Sequence, residues 1–149
     1  MNEIEIVQLD DFRKQRVAVL CLPGLESFLS DIVPELEKTY SVRTCYSRSM
    51  PEIESAVNWC DIAFFEWANE LVIAATNNIP VMAEKQVIIR LHSYESLSNF
   101  ATQINWPVVN HLIFVAEHIK EIVLKSIPKL PELVDISIVP NGVEVEYAI

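Results

Sequence analysis

Glycine is nearly missing from this chain. Only Gly24 and Gly142 occur among 149 residues, at opposite ends of the sequence. A dinucleotide fingerprint and a P-loop each need glycines clustered within one short turn, so neither motif exists here. Cysteine is also sparse: Cys21, Cys45 and Cys60 form no CxxC pair. An odd set in apolar surroundings reads as free thiols in a reducing cytoplasm. Basic residues are few. Lys and Arg number 11 against 21 Asp and Glu, for a net charge of −10, which repels phosphate backbones and argues against non-specific nucleic-acid binding. A local basic pocket stays compatible with that balance. The acidic start MNEIEIVQLDDF has no basic or apolar region of a signal peptide. The longest uncharged stretch, residues 96–116, carries polar residues throughout, so it does not read as a membrane span. A membrane-surface substrate remains open.

Apolar residues are plentiful, at 51% with a mean hydropathy of +0.25. That content excludes disorder. A chain of this length buries roughly 68–70% of its unfolded surface as one domain. Short apolar runs alternate with helical spacings. Strands are predicted over 16–22, 42–46, 61–65, 86–92, 111–115 and 134–139, with helices over 26–40, 51–59, 69–77, 96–104 and 116–127. Pro34 inside the first helix predicts a kink or a late start. Most strands lack a polar face, which predicts a parallel sheet covered on both sides. The fold class is therefore α/β: a Rossmann-like, doubly wound, mostly parallel six-stranded sheet with helices on both faces, spanning 1–149 as a single domain.

In such sheets ligands bind beyond the carboxyl ends of the strands. That rule selects Pro23, Gly24 and Leu25, then Ser47 to Ser49, Glu66 and Trp67, His92 to Glu95, Ala116 to His118, and Pro140 to Val143. Arg90 lies within an apolar strand, where an unpaired charge is costly, and His92 ends that strand. The plainer reading pairs Arg90 with a core carboxylate and makes His92 a strand-end residue. The functional reading gives the imidazole hydrogen-bonding work near neutral pH. Glu66 and Trp67 join a carboxylate to an aromatic face, a combination suited to sugars, although Trp67 could equally pack against a helix start. His111 and His118 have neither helical-pair nor strand-pair spacing and read as structural. No cluster has metal-ligand spacing.

Three pieces in order carry a resemblance: Arg90-Leu-His-Ser-Tyr-Glu95, His111-Leu-Ile-Phe-Val-Ala116 and Ile138-Val-Pro-Asn-Gly-Val-Glu144. Together they resemble the amino-terminal half of retaining, GT-B-fold glycosyltransferases (group 1, family 4), over nearly the full 149 residues. The Pro-Asn-Gly-Val turn is the most specific piece. Family members often carry a glycine pair after the first strand, whereas Gly24 is single. The resemblance implies a bacterial-type, cytoplasmic hexosyltransferase. Its second, nucleotide-sugar-binding domain is expected beyond this chain, which alone is expected to be inactive.

The implied donor is a nucleotide-diphosphate sugar. The acceptor is a carbohydrate, a lipid-linked or membrane-surface molecule, or a protein. No cofactor or metal is expected; the DxD metal clamp of the other large glycosyltransferase class is missing. By the same resemblance, His92 is the catalytic residue and Gly24 and Leu25 form the donor-diphosphate loop. Glu66, Trp67, Ser93, Tyr94 and Glu95 bind the acceptor, and Asn141 and Gly142 form the hinge. The alternative is a non-catalytic α/β binding or interaction module. One candidate of that kind, a phosphorelay receiver, fails. It needs acidic residues ending strand one, where Leu22-Pro23-Gly24 sits, and a lysine after strand five, where Ala116 sits.

Overall fold

The computed structural model describes residues 14–93 and 98–140. Six strands form one all-parallel sheet: β1 (Arg16–Cys21), β2 (Ser41–Tyr46), β3 (Ile62–Glu66), β4 (Gln86–Leu91), β5 (His111–Phe114) and β6 (Asp135–Ile138), in the order β2-β1-β3-β4-β5-β6. Five α-helices connect them: α1 (Leu29–Glu37), α2 (Met50–Trp59), α3 (Glu70–Asn78), α4 (Glu117–Ser126) and the single turn α5 (Leu130–Leu133). The Rossmann-like α/β expectation holds. The sheet first grows one way, from β1 to β2, then reverses through β3. The switch point, where such sheets place their ligands, therefore lies between β1 and β3.

Alternation along the strands sorts the side chains onto two faces. One face carries Ala18, Leu20, Ala63, Phe65, Val87, Ile89, Leu91, Leu112 and Phe114, and packs against α2, α3 and α4 in the main core. The other carries Val17, Val19 and Cys21, which meet Leu29, Ile32, Val33 and Leu36 of α1. This asymmetry follows from right-handed crossovers. Only the β1–β2 connection runs in the opposite direction, so only α1 lands on the second face. Beyond α1, Ile88, His111, Ile113 and Ser137 of that face are half-buried rather than sealed. Among the described residues, no helix covers them, so the coverage expected there is thinner than the apolar strands imply.

Two helices differ from their predicted spans. α1 starts at Leu29 rather than near residue 26, and Pro34 still lies inside it, where it removes one N–H from the helical ladder. The helix predicted over 96–104 is reduced, among the described residues, to one 3₁₀ turn, Ala101–Gln103. Thr102 Oγ1 and Gln103 Nε2 both donate to the Asn99 carbonyl, at 2.8 and 3.0 Å. Such side-chain bonds offer the backbone an alternative to the helical ladder. No helix among the described residues is long and apolar enough to cross a membrane.

Candidate functional site

The carboxyl ends of β3 and β4 bring three charged or polar side chains into the second face. Glu66 and Arg90 are direct cross-strand partners in the parallel register, and His92 follows two residues on, on the same side. All three are buried, with exposures of 0% for Glu66, 7% for Arg90 and 3% for His92. Glu66 Oε1 accepts from Arg90 Nε at 3.0 Å and lies 2.6 Å from His92 Nε2. An ionised carboxylate only accepts, so His92 Nε2 carries a proton and donates. The 3.3 Å approach of Arg90 Nε to His92 Nε2 is then a close contact between two donors that share one acceptor. The second oxygen, Oε2, is buried without a hydrogen-bond partner.

The imidazole is also clamped by rings. Trp67 stacks on it at 3.9 Å between centroids and Phe28 at 5.0 Å, with interplanar angles of 29° and 25°. Trp67 occupies a left-handed conformation at φ 76°, an arrangement that a bulky residue holds only when its surroundings enforce it. Its backbone N–H donates to the Arg90 carbonyl at 2.9 Å, and its indole Nε1 donates to the Leu25 carbonyl at 2.9 Å. Those bonds tie the turn after β1 to the end of β3. His92 is thus held in orientation by a carboxylate at its edge and by the Trp67 and Phe28 rings, which also meet each other at 6.3 Å between centroids.

A cleft of about 220 Å³ opens beside this cluster, lined in part by Phe28, Trp67, His92, Ser93, Ala116 and His118. Small-molecule sites usually enclose several hundred Å³, so this space suits part of a ligand rather than a whole one.

The residues expected from the sequence now have positions. His92, Trp67 and Ser93 line the cleft, and Leu25 braces Trp67. Glu66 lies behind His92, inaccessible to a ligand, and acts as a positioning residue. Gly24 has φ 91°, and an added Cβ would meet nothing within 4 Å. The turn therefore needs glycine for its backbone alone. The Gly24 amide donates to Glu26 Oε2 at 2.6 Å, so an incoming diphosphate would have to displace a carboxylate there. Tyr94, Glu95, Asn141 and Gly142 lie outside the described residues.

Phe28 is a site residue with no sequence signal, whereas Arg90 and His118 stand near the ligand edge in the sequence reading without a site role. Arg90 was legible as a buried charge needing a carboxylate. Phe28 and His118 become neighbours of His92 only through the fold. His111 is structural, with Nε2 2.6 Å from Ser137 Oγ across β5 and β6. Among the described residues, no group of His, Cys, Asp and Glu could hold a metal ion.

Cys21 sits on the same face, close enough to feel the cluster. Burial, reinforced by the negative charges of Glu66 and Glu26, pushes its pKa up to about 12. Burial also raises Cys45 and Cys60. Native protein at pH 8 should therefore leave Cys21 unlabelled by iodoacetamide until urea unfolds it; rapid native labelling would contradict the packing of β1. A raised thiol pKa leaves stability unaffected below the unfolded value near 9.0 and removes it as pH climbs from there towards 12. Across that window the slope is up to about 1.4 kcal/mol per pH unit for each such thiol.

No protein-family model matches the chain, and no curated protein or solved structure is significantly similar to it.

Proposed function

We propose that this chain is the acceptor-side domain of a GT-B-fold, retaining glycosyltransferase that moves a sugar from a nucleotide-diphosphate donor to an acceptor. The observation that carries the reading is His92, held by Glu66 and two rings beside a part-sized cleft at the carboxyl edge of the sheet, one strand away from where its order reverses. In this reading the second wall of the cleft, the nucleotide-binding surface and most of the diphosphate charge stabilisation come from a separate α/β domain. The chain's own residues orient rather than cleave. Glu66 and the two rings fix the imidazole so that its hydrogen bond strengthens as the donor sugar gains positive character, the preorganisation that makes such a contact effective. Trp67 and Ser93 contribute an aromatic face and a hydroxyl for sugar recognition. Neutralising the diphosphate is not assigned to the Gly24 turn, because Glu26 occupies its amide.

The alternative, a non-catalytic α/β binding module, makes a different demand on the same cleft: it should bind a ligand without a second domain. The two are separated by assaying the 149-residue chain alone and joined to a nucleotide-sugar-binding domain of the kind the proposal requires. Sugar transfer by the joined protein, with neither turnover nor sub-micromolar nucleotide-sugar binding by the chain alone, is the expected result. Turnover by the chain alone, or tight nucleotide-sugar binding to it in calorimetry, would overturn the divided-site reading.

A further inference from the structure

We propose that the opposite edge of the sheet, at the amino ends of β1 and β2, carries a site for a phosphoryl-bearing anion. A cleft of about 390 Å³ opens there, lined by Lys14, Arg16, Ser41, Val42, Arg43 and Trp59. Three of the chain's 11 basic residues thus converge on one cavity in a protein of net charge −10. Arg16 and Ser41 are register partners. Arg43 projects from the same edge strand, with its guanidinium carbon 4.4 Å from the Trp59 ring centroid; that of Arg16 lies 5.7 Å from it.

The local charges do not cancel. Asp61 engages Arg16, accepting its backbone N–H at 2.9 Å and lying 3.6 Å from its Nη2. The carboxyl end of α2 at Trp59 supplies a further negative dipole, about half a charge. Among the described residues, Lys14 and Arg43 form no ion pair, which leaves an excess of roughly +1.5 at the cleft. A separate observation points the same way. Arg16 Nε is buried and has no hydrogen-bond partner, a condition that costs stability unless an acceptor is supplied. Ser41, its register partner, adds a hydroxyl to the cleft lining.

Guanidinium groups match the oxygen spacing of a phosphoryl group, and lysine adds a point charge. Arg43 already covers a face of Trp59, so the ring serves to hold the guanidinium and is not a platform for a sugar or base. The chemistry is therefore that of a phosphate or diphosphate, carried either on a free small molecule or on a lipid headgroup.

Inorganic pyrophosphate titrated into the 149-residue chain at low salt tests the site. Saturable binding with a Kd below about 1 mM is expected, weakened at least about tenfold in the Lys14→Gln, Arg43→Gln double variant. Both side chains are exposed, so the melting temperature should stay within about 2 °C of the parent. Cosedimentation with phosphatidylglycerol vesicles but not phosphatidylcholine vesicles, lost in the double variant, assigns the headgroup as source. Pyrophosphate binding without cosedimentation assigns a free ligand. Absence of binding to both probes, or binding undiminished in the double variant, overturns the proposal.

Discussion

Replacing Glu66 by alanine is expected to lower the melting temperature by roughly 6–20 °C. Breaking a buried ion pair by removing one partner costs about 3–5 kcal/mol, and in a domain of this size each kcal/mol moves the midpoint by about 2–4 °C. The variant leaves Arg90, 7% exposed, and His92, 3% exposed, without the oxygen that both of them reach. Glu66→Gln, which retains an acceptor oxygen but not the charge, should fall between the variant and the parent. Replacing Glu66 and Arg90 together by leucine should recover much of the loss, since a well-packed apolar pair often matches a buried ion pair in stability. Thermal unfolding followed by circular dichroism decides the matter. An alanine variant that melts within 2 °C of the parent would mean that water reaches the cluster.

The second large effect concerns His92 in the transferase proposed above. A hydrogen bond that strengthens towards the transition state contributes on the order of 2–4 kcal/mol, so His92→Ala should lower kcat by roughly 10²–10³-fold with donor binding little changed. Alanine also removes the ring that both Phe28 and Trp67 pack against, so a stability loss is expected alongside. His92→Phe separates the two contributions. A phenyl ring keeps the contacts with Phe28 and Trp67 but has no hydrogen-bonding nitrogen, so it should melt closer to the parent than alanine does while losing activity to the same degree. Retention of more than about a third of kcat in either variant would reduce His92 to a strand-end packing residue.

Much of this architecture is legible in the amino-acid order, for identifiable reasons. Val17 to Cys21 and Val87 to Ile89 form unbroken apolar runs because parallel strands are screened on both faces. That pattern survives any uncertainty about helix ends. The presence of Arg90 in such a run requires a carboxylate nearby, and the chain supplies one. Which carboxylate it is depends on the register of β3 against β4, and register is not written in either strand alone. The stack of Phe28 and Trp67 on His92 is invisible for a related reason. It joins three segments separated by dozens of residues, and it needs Trp67 at a positive φ that no residue preference would suggest. The failed helix at 96–104 shows the opposite limit. Serine, asparagine and threonine satisfy a helical spacing on paper, but their side chains bind the backbone locally and draw it into a tight turn.

The Glu66–Arg90 contact also bears on how the sheet avoids mispairing. Strands built almost wholly from Val, Ile, Leu and Phe present nearly uniform surfaces, so side-chain packing alone does little to stop one from sliding along another. A slip of one residue would turn Arg90 into the main core, and a slip of two would set it beside Phe64 while leaving Glu66 without its partner. Each alternative buries a charge with no counterion, which is costly. A single ionic rung in an otherwise oily ladder therefore acts as an alignment pin: the same contact that orients the imidazole also determines which pairing of β3 and β4 the chain can adopt.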